Sequence, residues 1–130
     1  MAVLEIDRKH LDDNTVILDV KGYLDAFSVT DFRHAAAENK TVPRLIINLR
    51  TAFLDSAGLN ALVGAVRQVR NHQGEAAVVC THPRVTRVLR TSGFDRVVTL
   101  SKTVDEARAA LDLAGVSSVM AASQGYRRAG

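Results

Sequence analysis

The chain of 130 residues contains one cysteine, two prolines, no tryptophan, four phenylalanines and two tyrosines. With Cys80 as its only thiol no intramolecular disulfide can form, and a chain of this size buries enough apolar surface to fold without cross-links or metals. That composition fits a reducing compartment. The four histidines, His10, His34, His72 and His82, are scattered with no pair at metal-ligand spacing, so no metal site is expected. Gly22, Gly58, Gly64, Gly74 and Gly93 never cluster into a loop that would cradle phosphate, and no G-x-S-x-G elbow surrounds any serine. No catalytic residue and no cofactor are therefore assigned. Long apolar runs are missing too: nothing approaches the ~20 residues that span a bilayer, so no membrane insertion is expected. Met1 to Asp7 carries acids where a secretory signal needs a basic segment, and the expected location is cytoplasmic.

What is present is an ordinary globular composition, 47% hydrophobic and 24% charged, sized for one domain. The net charge of +3 invites a nucleic-acid reading until it is located along the chain. Residues 1–55 hold seven Lys+Arg against nine Asp+Glu, residues 56–113 hold eight against five, and the last seventeen add two arginines and no acid. The body of the chain is nearly neutral and has no aromatic-basic interleaving, so direct nucleic-acid binding is not expected.

Hydrophobic periodicity predicts an α/β fold. Leu4 and Ile6 alternate with acids, and after a polar turn over His10 to Asn14, Val16, Leu18 and Val20 alternate again, which predicts an N-terminal antiparallel hairpin. Short apolar runs then alternate with helical segments, as in β-α units feeding a parallel sheet. Leu45 to Leu49 is nearly continuously apolar and should be central and covered on both faces. Ala76 to Cys80 and Val97 to Leu100 complete the strands. About four helices are expected. The first is capped by Ser28 and buries Val29, Phe32 and Ala36. The second follows Asp55 and buries Leu62, Val63, Val66 and Val69. The third runs from Pro83 to Gly93 over Val85, Val88 and Leu89, and the fourth opens with the capping box Thr103 to Glu106 and carries Val104, Ala107 and Leu111. The domain is placed at residues 1–113, and residues 114–130, small and polar, are expected to be a flexible tail.

The informative segment is Thr51-Ala52-Phe53-Leu54-Asp55-Ser56-Ala57-Gly58-Leu59. With Asp55 as N-cap, Leu54 and Leu59 become the two partners of a hydrophobic staple, a pairing lost if the cap moves to Ser56. Ser56 then occupies the first helical position with its hydroxyl toward solvent. By itself Asp-Ser before a helix is a capping signal. Stepping 100° per residue groups Ala57, Ala61, Gly64 and Gln68 away from the apolar stripe. A small, uncharged face of this kind lets another protein approach closely, or it reflects no more than the helix propensity of alanine.

Four stretches together resemble the STAS domain family, in particular its single-domain bacterial anti-sigma factor antagonists. They are Gly22-Tyr23-Leu24-Asp25, the apolar Leu45 to Leu49, Asp55-Ser56-Ala57-Gly58-Leu59, and Val85 to Phe94 with Gly93. The likeness spans residues 3 to 113. It implies a mixed sheet with an N-terminal hairpin and a non-enzymatic regulator of transcription. It further implies that Ser56 is phosphorylated by an anti-sigma factor of the serine-kinase type and restored by a metal-dependent serine phosphatase. The unmodified form would bind the anti-sigma factor and release the sigma factor. The partner-binding set is then Asp25, Asp55, Ser56, Ala57, Gly58, Ala61 and Gly64. A phosphate on Ser56 would add about −1.5 to −2 charge at the positive end of a helix, leaving the fold intact while confronting a partner shaped for a neutral hydroxyl.

Other readings are weaker. A STAS accessory subunit of a membrane transporter and a nucleotide-binding regulatory domain are the alternatives. A phospho-accepting aspartate at Asp55 lacks the acidic pair that would hold magnesium. Cys80, closing a strand, reads as a buried small hydrophobe. Arg84, Arg87 and Arg90 recur every third position and read either as a solvated face or as steering toward an acidic surface.

Overall fold

The structure is a computed structural model that describes residues 4–123 of the backbone and, within the last helix, side chains as far as Leu113. Five strands and five helices follow in the order β1 (Glu5–Asp12), β2 (Thr15–Leu24), α1 (Val29–Glu38), β3 (Arg44–Leu54), α2 (Ser56–Asn71), β4 (Glu75–Cys80), α3 (Pro83–Thr91), α4 (Phe94–Val97), β5 (Thr99–Ser101) and α5 (Val104–Ser123). One sheet holds all the strands in the order β1-β2-β3-β4-β5, with β1 antiparallel to β2 and every other pair parallel. The predicted hairpin and β-α units are thus present. The helix beyond the expected four is the single turn α4, which seats Phe94 in the core after Gly93 turns the chain at a φ of 83°.

The two-residue period of the strands sorts side chains between two cores. Val16, Leu18, Val20, Leu45, Ile47, Leu49, Ala76, Val78 and Cys80 face α1, α2 and α3. Ile17, Ile46, Ala77 and Val79 face the opposite way, under Ala107 and Leu111 of α5. The central strand is therefore covered on both sides, which is why Leu45 to Leu49 carries so little polarity. Asn48, on the α5 side, donates to buried Asp19 at 2.6 Å, and Lys9 pairs with that carboxylate at 3.3 Å. Arg108 of α5 reaches Asp12 at 2.7 Å and binds helix to hairpin. Asp12 also accepts the Asn14 backbone N–H, and this bond, aided by the Arg108 charge, holds its carboxyl below the usual aspartate range.

Several boundaries differ from expectation. β1 continues to Asp12 through an irregularity between His10 and Asp12, so the turn shrinks to Asp13 and Asn14. β3 does not stop at Leu49 but runs on through Leu54. The last strand is Thr99–Ser101, two residues later than its predicted start. In α3, Val85 and Leu89 are buried one turn apart, whereas Val88 lies at the margin of that stripe and is 37% exposed. Helix α5 extends past Gly115 to Ser123, so the helix passes the expected domain end at residue 113, and residues 124–130 of the anticipated tail lie outside the described residues.

The small face of α2 is also not where periodicity put it. Ala61 is 4% exposed, because α2 is covered by α1 as well as by the sheet. Ala36 of α1 and Ala61, Gly64 and Ala65 of α2 line a shallow groove between the two helices. Small side chains there let the helices approach each other, not a second protein. Gly64 sits at the open edge of this groove, where an added Cβ would meet no atom within 4 Å.

This arrangement sets opposite expectations for two neighbouring positions. Gly64→Ala should raise stability by up to ~1 kcal/mol through helix propensity. Ala61→Lys should lower it by at least ~2 kcal/mol, since it forces a long charged chain between packed helices. Urea unfolding of both variants measures the difference, and an Ala61→Lys protein as stable as its parent would contradict the α1–α2 packing.

Candidate functional site

The parallel strands end on a common rim, and β2 and β3 project beyond their neighbours there. Pairing of β1 with β2 begins at Lys21, and pairing of β3 with β4 ends at Leu49, so Gly22–Leu24 and Arg50–Leu54 form a two-stranded tongue. The tongue contains an irregularity: Gly22 pairs with Thr51, Tyr23 with Phe53, and Ala52 is left over. Gly22 adopts a φ of 104° there, a conformation that side chains rarely tolerate. The shift leaves Leu24 and Leu54 in the core and sets Tyr23 beside Phe53, with ring centroids 5.7 Å apart.

Asp55 follows at the tip. It is the N-cap of α2 as predicted, in extended conformation, with Oδ1 accepting the Gly58 N–H at 2.9 Å. Leu54 is buried and Leu59 packs against the same core, as the staple requires. The second carboxylate oxygen, Oδ2, accepts the Ala26 N–H at 3.0 Å from the loop between β2 and α1. One side chain thereby joins two loops that are 29 residues apart in sequence.

The β2–α1 loop has its own carboxylate. Asp25 Oδ1 accepts the N–H groups of Phe27 at 2.9 Å and Ser28 at 3.1 Å, shaping a tight turn. Ser28 stands at the N-cap of α1 but makes no side-chain cap bond. Its hydroxyl instead donates to the Tyr23 carbonyl at 2.7 Å and accepts the Asp25 N–H at 3.1 Å, so its role is to close the loop.

Ser56 is exposed at the first position of α2. Phosphate at this position would meet the positive end of the helix, whose first N–H groups have no partner within the helix. Of the other residues proposed for partner contact, Asp25, Asp55 and Ala57 are half-buried around it. Gly58 is buried, and a Cβ there would run into the Leu24 carbonyl and the Leu54 side chain, so glycine is demanded by close packing of α2 on the tongue. Ala61 and Gly64 belong to the groove with α1, Ala61 wholly enclosed. The expected set therefore divides into a solvent-facing part, centred on Ser56, and a part buried beneath it.

Sequence reasoning missed the aromatic residues of the rim. Phe27 is 99% exposed, next to the Ala26 amide that Asp55 holds, while Tyr23 is 44% and Phe53 46% exposed. Three of the chain's six Phe and Tyr side chains thus lie on or beside the Ser56 tongue. Their position outside every apolar stripe was the available signal. Among the described residues no group of His, Cys, Asp or Glu is arranged to hold a metal, and no helix is long and apolar enough to cross a membrane.

The sequence profile of the STAS domain matches residues 6–107. The chain belongs to the STAS domain family. It is 21% identical over 106 residues to the anti-sigma-B factor antagonist of Listeria monocytogenes, covering 79% of this chain and 93% of that protein. An anti-sigma factor antagonist from Mycobacterium paratuberculosis superposes with a TM-score of 0.76 at 24% identity, over 84% of this chain and 94% of that one. The anti-sigma factor antagonist SpoIIAA in its unphosphorylated form gives 0.66 at 20% identity, over 95% and 100% of the two chains. The Bacillus cell fate determinant SpoIIAA in the phosphorylated form gives 0.62 at 23%, over 81% and 97%. At these identities the structural likeness establishes the STAS fold.

The Asp55 bridge is open to a direct test. Asp55→Ala should cost about 1–2 kcal/mol from the lost cap, and Asp55→Asn less, because its single carbonyl oxygen still serves one of the two N–H groups. Hydrogen exchange at Ala26 should quicken in Asp55→Ala, and unchanged exchange there would show that Asp55 does not tie the loops.

Proposed function

We propose that this STAS protein is an anti-sigma factor antagonist controlled by phosphorylation of Ser56. The observation that carries the reading is an exposed serine at the first position of α2, beside an N-cap that also anchors an aromatic loop. Relatives named as anti-sigma factor antagonists support it, among them one solved in a phosphorylated form. In the unmodified state Ser56, Ala57 and the exposed rings of Phe27, Tyr23 and Phe53 form the docking surface for an anti-sigma factor of the serine-kinase type. Aromatic side chains on a rigid rim provide much of the binding energy in such surfaces. Binding sequesters the anti-sigma factor and frees its sigma factor.

Phosphorylation changes this surface without touching the core. The phosphate brings about −1.5 to −2 charge beside Asp55, and the helix end accommodates it. A partner surface fitted to a neutral hydroxyl then faces bulk and charge that it cannot neutralise. ATP and the phosphoryl-transfer machinery belong to the kinase, and a metal-dependent serine phosphatase returns the protein to its binding form. The protein itself is non-catalytic and acts in the cytoplasm.

Incubation with the cognate kinase and ATP should label Ser56 alone, and Ser56→Ala should abolish labelling. A main phosphopeptide containing Ser28 or Ser92 would overturn the assignment. Ser56→Glu should keep the circular dichroism spectrum and melting temperature of the parent and bind the anti-sigma factor roughly a hundredfold more weakly, about 3 kcal/mol. Backbone amide shifts spread through the central sheet of Ser56→Glu would point to refolding in place of a local block. Phe27→Ala, at a side chain with no core contacts to lose, should weaken the same complex at least about tenfold with no change in stability. Calorimetric titration measures both affinities.

A further inference from the structure

A second feature of the rim is independent of Ser56. The chain leaving β4 passes to α3 on one face of the sheet, while the chain leaving β5 passes to α5 on the other. Diverging connections at the carboxyl ends of adjacent parallel strands open a crevice, the place where open α/β sheets bind small ligands. Here the crevice is a groove of about 690 Å³, within the range of small-molecule sites. Its lining combines the apolar Cys80, Pro83 and Leu100 with Arg87 and Arg90 from α3 and Lys102 before α5.

The three cations outnumber the single acid of the lining, Glu106. None takes part in an ion pair among the described residues, whereas Arg44, Arg70 and Arg108 all do. The one acid on the wall, Glu106, is engaged locally. Its carboxylate accepts the Lys102 backbone N–H at 3.1 Å, and Thr103 accepts the Glu106 N–H at 3.0 Å, so the Thr103 half of the predicted capping box forms while Glu106 reaches one residue before the cap. The α3 end has no such device: His82 makes no side-chain cap bond, and Pro83 opens the helix. Three cations against one carboxylate along a concave site favour an anion, and two guanidinium groups favour a phosphate.

The rest of the lining limits the body attached to that phosphate. Thr81, Thr91 and Ser101 offer hydroxyls, Thr86 donates its own to Cys80 Sγ at 3.4 Å, and among the described residues no aromatic ring lines the groove on which a base would stack. We propose that the crevice between α3 and α5 is a binding site for a small hydroxylated phosphomonoester of the sugar-phosphate type, held by Arg87, Arg90 and Lys102. This gives the arginine spacing in α3 a purpose. Arg87 and Arg90 face the crevice, while Arg84 is exposed on the same helix outside it.

The test is an amide NMR titration of the full chain with glucose 6-phosphate, inorganic phosphate, adenosine monophosphate and glucose. Saturable shifts confined to Thr81–Thr91 and Leu100–Glu106 are expected with glucose 6-phosphate and not with glucose. Arg87→Glu and Arg90→Glu should each weaken binding at least about tenfold, and Arg84→Glu much less, all three with the parent's melting temperature. Equal losses in the three variants would reduce the effect to general surface charge and overturn the site. So would the absence of saturable shifts at millimolar glucose 6-phosphate. Tighter binding of adenosine monophosphate, or equally tight binding of inorganic phosphate, would overturn the ligand class.

Discussion

The Asp55 carboxylate is the interaction on which the functional end of this protein depends. One oxygen satisfies the Gly58 N–H at the start of α2, and the other holds the Ala26 N–H of the loop before α1. The bond to Gly58 sets where α2 begins, and therefore puts Ser56 at the first helical position. The bond to Ala26 fixes the loop that carries Phe27. Close packing of Gly58 over the Leu24 carbonyl completes the constraint from below, because any larger residue would lift the helix from the tongue. A carboxylate with both oxygens committed to backbone is a rigid support, and the serine beside it inherits that rigidity.

The tongue itself is a departure from the rest of the sheet. Elsewhere each inner strand has a neighbour on both sides, yet β2 and β3 run past β1 and β4 with only each other for partners. An isolated two-stranded ribbon is marginal in water, and this one is held by the buried Leu24 and Leu54 beneath it and by the Tyr23–Phe53 contact. The irregularity at Gly22 and Ala52 brings those rings together while leaving them half in solvent. Exposed aromatic surface at the end of a well-anchored ribbon combines low conformational freedom with apolar area, the physical requirements of a recognition site.

Because the strands from β2 to β5 are parallel, every connection that follows a strand emerges on one rim. The Ser56 tongue and the basic crevice between α3 and α5 are therefore on the same edge of the molecule without sharing a residue. The opposite edge holds the connections that lead into the strands. There the chain is occupied with structure: Arg44 reaches Asp112 at 2.6 Å, and Arg70 pairs with Glu75 across the α2–β4 turn at 2.9 Å. The two ends of the sheet have different tasks, one closing the fold and the other presenting chemistry.

Much of this was legible in the sequence because it rests on local rules. Strand alternation separates Ile46 from Leu45 and Ile47 whatever the rest of the chain does, and the Leu54–Leu59 pairing selects Asp55 over Ser56 as cap within a single turn. The Thr103 half of the capping box and the Gly93 stop are local in the same sense. What escaped needed distant neighbours. Helical periodicity identifies the face of α2 that meets the sheet, but α1 covers a second face, and nothing near Ala61 in sequence announces it. Val88 falls at the edge of its stripe because α3 meets the core along Val85 and Leu89 alone. Arg50 to Leu54 reads as a loop because its strand character comes from pairing with Gly22–Leu24, and the second bond of Asp55 goes to an amide 29 residues away. Residue order alone determines the type of most elements, the Asp55 cap and the inward face of each strand, since these depend on contacts within a turn or a pleat. Tertiary structure decides which side chains remain in solvent once every face is covered, and in this protein those are Ser56, the rim aromatics and the crevice cations.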